Sequence, residues 1–148
     1  METEISHLNL LAPLFYTPNE KADPFDCGKE EELFCFELDE TQYKSIEPDK
    51  EKFLGGPVFC GKAPGADSGK QEGGREKFLK LPQGSYLFAQ KREILSREEI
   101  IDLAIEIQLE GLWQRQRLER KLYLRYLYED HSWVTQLFRP LQEVYANR

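Results

Sequence analysis

Hydrophobic and polar positions along the chain follow two periods, one near 3.6 residues in a single long stretch and one near two in several short ones. The long stretch is "SREEIIDLAIEIQLEGLW", residues 96–113. Ile100, Ala104 and Ile107, with the neighbouring row Ile101, Ile105, Leu109 and Leu112, form a wide apolar face that predicts an amphipathic helix. Ser96 followed by Glu99 makes a capping box, in which each side chain satisfies a backbone N–H that the first helical turn leaves open. Glu98, Glu99 and Asp102 lie where the positive end of the helix dipole favours them. Gly111 predicts fraying or a bend near Trp113.

The short-period stretches read as strands. "ELFCFEL" (32–38) is one, and "FLGGPVFCG" (53–61) is a second in which Gly55 and Gly56 mark a bulge or a close backbone approach. "KFLKL" and "GSYLFAQ" flank Pro82-Gln83-Gly84, a turn between two strand-like pieces. "LYLRYLYED" and "WVTQLFRPL" form an antiparallel hairpin around Asp130-His131-Ser132. Alternation there puts Leu122, Leu124, Tyr126 and Tyr128 on one face, and Tyr123, Arg125, Leu127 and Glu129 on the other.

The N-terminal half is less regular. "LNLLAPLFY" is broken at Pro13 and fits a short strand or an interrupted helical turn equally well. "TPNEKADPFDCGKEEE" is a loop, and "DETQYKSIEPDKEK" is a turn leading into an irregular or helical segment. Residues 62–76 are rich in glycine and charge, with nothing apolar larger than Ala or Pro, and predict an exposed, mobile loop. These elements give an α+β fold: one domain over 1–148, with an antiparallel sheet and a strand–helix–strand–strand unit over 78–142.

Charge then narrows the partners. The net charge of −7, with Lys and Arg dispersed among acids, argues against nucleic acid and suits a neutral or cationic ligand better. Nine Phe, seven Tyr and two Trp are plentiful for 148 residues, so some of these rings must lie near the surface or line a cavity. The first residues have no basic region ahead of a long apolar run, and no stretch approaches the roughly 20 apolar residues of a membrane span. Three cysteines without paired spacing read as free thiols in a reducing cytoplasm.

Candidate chemistry is sparse. "GKAPGADSGKQ" departs from a phosphate-binding loop at Pro64, in the first glycine position, and at Gln71, in the hydroxyl position. His7 and His131 are the only histidines, and the cysteine spacings match no zinc site, so neither a metal nor a cofactor is expected. A Cys–His nucleophilic pair would have to meet in space, and buried inert thiols are commoner. Glu110 and Trp113 share a helical face and read either as a solvated acid beside a core ring or as a carboxylate beside an aromatic wall.

"LPQGSYLFAQ", the helix ending "EGLWQRQ", "LYLRYLYED" and "WVTQLFRPL" together resemble the second half of the gyrase-inhibitor-like domain family. That family includes the effector-binding domains of AraC-type and multidrug-responsive regulators. Pro82, Gly84, Tyr86, Trp113, Tyr126 and Pro140 fall at matching places, while Leu124 stands where the family often has a Glu two residues before the tyrosine. The resemblance implies a tandem repeat, of which residues 1–76 hold an incomplete or divergent first copy lacking a long helix. It also implies a small molecule bound in an aromatic cleft between copies.

The expected function is a stand-alone, non-catalytic domain that binds a small hydrophobic or cationic molecule. Tyr86, Phe88, Glu110, Trp113, Tyr126 and Tyr128 are its expected ligand-binding residues. The alternatives are a protein-interaction or regulatory module, as a gyrase inhibitor would be, and a hydrolase on the same scaffold.

Overall fold

The computed structural model describes residues 4–18, 31–62 and 79–142. The expected mobile loop over 62–76 lies outside them, apart from Lys62, and so does Cys27. The elements run β1 (Ser6–Leu10), β2 (Leu14–Pro18), β3 (Glu32–Glu37), α1 (Lys50–Phe53), β4 (Pro57–Lys62), β5 (Leu79–Leu81), β6 (Gly84–Lys91), α2 (Arg97–Trp113), β7 (Lys121–Glu129) and β8 (Ser132–Pro140). All strand pairs are antiparallel, in the order β1-β6-β8-β7-β3-β4-β2-β5. The strand–helix–strand–strand unit is β6–α2–β7–β8, and the described part of the first half contributes strands and the single turn of α1.

The strand order returns on itself. β1 pairs with β6 up to Leu10↔Gly84, and β2 pairs with β5 from Leu14↔Leu81. These pairings are two stretches of one bent ribbon, with Leu11-Ala12-Pro13 on one side facing the shorter Pro82-Gln83 on the other. That unequal count is a bulge, and it corrects the expected turn: Pro82-Gln83 kinks one continuing strand and does not reverse the chain. Gly84 has φ +145°, a conformation only glycine adopts without strain, at the point where the ribbon bends. Because β2 also pairs with β4 and β6 with β8, the sheet curls into a barrel.

Curling gives the sheet an inside and an outside, and each has its own core. The interior holds Tyr16, Leu33, Cys35, Leu81, Tyr86, Tyr123 and Phe138, with Leu8, Leu10, Leu14 and Phe88 packed against them. The outer face of β3, β6, β7 and β8 is covered by α2 and α1 in a larger, mainly aliphatic core that includes Phe34, Phe36, Leu87, Ile100, Ile107, Leu124, Tyr126 and Leu137. Period-two alternation along β7 sends Tyr123 inward and Leu122, Leu124 and Tyr126 to the helix side.

The helix begins as its sequence predicts. Glu99 N donates to Ser96 Oγ at 3.2 Å, and Ser96 N donates to Glu99 Oε1 at 2.8 Å. Its end is firmer than expected. Gln116 N donates to Gly111 O and Arg115 N to Leu112 O, a Schellman closure with Arg115 in the left-handed conformation at φ 63°. A methyl group on Gly111 would lie 2.8 Å from both Leu87 and Leu118 side chains, so this glycine allows close packing on the sheet and does not fray the helix. The buried face also differs from the expected rows. Gln108 is fully buried on it, whereas Leu109 is exposed.

Two further expectations are resolved. The second strand does carry a register shift, at Val58, since Cys35 pairs with Phe59 and Phe36 with Pro57; Gly55 and Gly56 precede β4 in an open connection, where a methyl group on either would meet nothing within 4 Å, so they mark no close approach. The residues around Pro13 form two strands on either side of the ribbon's bend, with no helical turn between them. The β7–β8 hairpin turns at Asp130 and His131, both with positive φ (53° and 63°), as a two-residue turn matched to strand twist requires. Among the described residues, no helix is long and apolar enough to cross a membrane.

Candidate functional site

The six expected ligand residues do not gather in one place. Tyr86 and Phe88 belong to the barrel interior, where their ring centroids lie 5.7 and 5.0 Å from that of Phe138. Tyr126 is sealed on the opposite face of the sheet, edge-on to Phe34 at 6.2 Å. Tyr128 is half-exposed near the hairpin tip and rests on Trp133 at 5.2 Å. Glu110 accepts a hydrogen bond from Gln114 Nε2 at 2.6 Å on the helix surface.

Trp113 is 84% exposed and is neither a cavity wall nor a core residue. It follows Gly111 by two positions, about 200° around the helix from the face pressed against the sheet. No aromatic cleft joins Tyr86, Trp113 and Tyr126, since the pleat and the helix rotation send the three rings in different directions.

A pocket of about 430 Å³ opens elsewhere, at one end of the barrel. Its floor is aromatic: Tyr86 from β6 and Tyr123 from β7, with ring centroids 6.4 Å apart and nearly perpendicular. One wall is Pro82, Gln83, Gly84 and Ser85, where the ribbon bends; the other is Glu119, Lys121 and the chain leaving β8 at residues 140–142. The bend at Gly84 thus shapes the pocket as well as the barrel. Phe88, two residues further along β6 than Tyr86, lies deeper in the interior and does not line it.

The phenol groups are occupied internally. Tyr86 Oη donates to the carbonyl of Pro82, and the Tyr123 hydroxyl and Cys35 thiol are hydrogen-bonded neighbours across β7 and β3. Burial raises both tyrosine pKa values, and the Glu119 carboxylate adds to the rise in each. Burial also pushes the Cys35 thiol up to about 11, the opposite of what an activated nucleophile requires. Ser85 Oγ donates to Asn9 Oδ1 at 2.8 Å. Glu119 and Lys121 differ: neither side chain makes a hydrogen bond or ion pair with another described residue, and the ion pairs found among these residues are Lys50–Asp102 and Arg92–Asp130.

Behind the pocket lies a residue that sequence reasoning missed. Arg139 is fully buried on the helix side, where burial lowers its pKa to about 9 and leaves it a cation at neutral pH. Neutral oxygens surround it. Its Nε donates to Glu119 O at 2.7 Å, its Nη1 to Gln108 Oε1 at 2.9 Å and its Nη2 to Tyr43 O at 2.8 Å. Gln108 in turn donates to Gln42 O and Ser45 O, both at 2.8 Å. Glu119 N donates to Pro140 O at 2.9 Å, so the pocket acid is pinned through its backbone on both sides. The signal was present in the sequence as a polar residue at a core position in each pattern. Arg139 shares the strand phase of Leu137, and Gln108 lies four residues after Ala104.

Among the described residues, no group of three His, Cys, Asp or Glu side chains is arranged to hold a metal ion. His7 lies 2.9 Å from Gln114 through Nε2, away from the pocket. No family model matches the chain, and no curated protein matches it.

Proposed function

We propose that this protein is a non-catalytic domain that binds a small molecule in the pocket at the barrel end. The observation carrying this reading is the pocket's construction. It has a floor of two tyrosines, 2% and 4% exposed, whose hydroxyls are already bonded internally, beneath a rim where the polar groups converge. A hydrophobic body over Tyr86 and Tyr123 with a positive group near Glu119 is a ligand this arrangement suits. The likeness to gyrase-inhibitor-like domains supports it in part. Of the matching positions, Pro82, Gly84, Tyr86 and Pro140 line this pocket, whereas Trp113 and Tyr126 do not. The family's cleft lies between two copies; here the pocket lies where the bent ribbon meets the ends of β7 and β8.

A screen of aromatic fragments by amide-resolved NMR tests the proposal. Binding fragments should shift the amides of residues 83–86, 119–123 and 141–142. Hits that map elsewhere, or none at all, would overturn it. A protein-interaction module is the second reading, favoured by the exposed indole of Trp113.

A further inference from the structure

We infer that the ligand of the barrel-end pocket is an aromatic zwitterion, held by its ammonium at Glu119 and by its carboxylate at Lys121. The inference rests on the binding function proposed above and specifies its ligand class. Both charged residues line the same pocket, on either side of Arg120. Arg120 itself is drawn out of play, with Nε donating to Leu38 O at 2.6 Å. Glu119 and Lys121 form no ion pair with each other. Glu37 lies directly across from Lys121 in β3 but forms no ion pair with it and does not line the pocket.

The rim therefore presents one carboxylate and one ammonium, neither paired with a counter-charge among the described residues. Beneath them lie Tyr86 and Tyr123, 2% and 4% exposed, whose hydroxyls are committed elsewhere. A ligand with only a cation would satisfy Glu119 while placing like charge beside Lys121; an anion would do the reverse. A molecule carrying both charges answers both, and its net neutrality agrees with the balanced rim. Glu119 is suited to a fixed contact because its backbone carbonyl and N–H are held by Arg139 and Pro140. The long flexible arm of Lys121 can adjust to where the second charge falls.

Four probes sharing a phenyl ring separate the possibilities at pH 7: L-phenylalanine, phenethylamine, 3-phenylpropionate and 3-phenylpropanol. Each is titrated against the protein by amide-resolved NMR. L-phenylalanine should bind about ten- to a hundredfold more tightly than either singly charged probe, the scale of one charge-assisted hydrogen bond. Glu119→Gln should reduce it to the affinity of 3-phenylpropionate, and Lys121→Met to that of phenethylamine, with both variants keeping the wild-type spectrum away from the pocket. The inference fails if phenethylamine binds as tightly as L-phenylalanine and Lys121→Met changes nothing, because the ligand is then a simple cation. It fails equally if the neutral alcohol matches the zwitterion. Silence of all four probes at the pocket amides also overturns it. The binding function falls with it only if the wider fragment screen is silent too.

Discussion

The two cores of this molecule lie back to back on one sheet and are built differently. The helix-side core is mainly aliphatic and closed, and Arg139, buried against it, is enclosed by carbonyl oxygens and Gln108. The barrel interior is aromatic, and at one end it opens onto a pocket. Both cores bury their central residues, but only the interior one borders a pocket, and the pleat of β7 assigns neighbouring residues to each.

That contrast can be broken by experiment. Tyr126→Ala empties a fully sealed site and should cost about 3–5 kcal/mol in denaturant melts, whereas Tyr123, 4% exposed, borders a pocket that water can enter, so Tyr123→Ala should cost less, about 2–3 kcal/mol. Equal losses would mean that the barrel interior is as closed as the helix side.

Alkaline titration sharpens the same contrast. Burial raises the folded-state pKa of Cys35 to about 11 from an ordinary value of 9.0, so between these pH values the unfolded chain releases a proton that the folded protein retains. Stability contributed by the buried neutral thiol is intact below pH 9 and is lost as pH rises towards about 11. Cys35→Ala should flatten the fall by about 1–2 kcal/mol over this window. Parallel stability curves for variant and wild type would show that the interior does not shield the thiol.

Ser96→Ala should cost about 1 kcal/mol through the lost helix cap, without altering the pocket amides, because α2 belongs to the other core. Trp113→Ala should change stability by less than about 0.5 kcal/mol, as an exposed residue does. Pocket amides that moved with Trp113→Ala would join the two regions after all.

Local patterning settled much of the fold. The capping box of α2, the β7–β8 hairpin with its two faces and the strand at 32–37 each depend on neighbours a few residues away, and all were legible. The site was much less so. Tyr86, one of the expected binding residues, lines the candidate pocket, as do Glu119, Lys121 and Tyr123, which were not among them.

The amino-acid sequence by itself determined several of the strands, where the helix starts and the two faces of the β7–β8 hairpin. Those properties follow from backbone propensity, capping and side-chain period, all of which act over one or two turns. Only the tertiary structure decided that β1–β2 and β5–β6 are one bent ribbon, that the sheet curls, and that its two faces become two cores of which one borders a pocket. It also decided that Trp113 points into solvent and that Arg139 reaches across to Glu119. These outcomes depend on pairings such as Leu10 with Gly84 and on contacts such as Arg139 with Tyr43, between residues far apart in the chain. No local period encodes them, because they exist only once the strands have met.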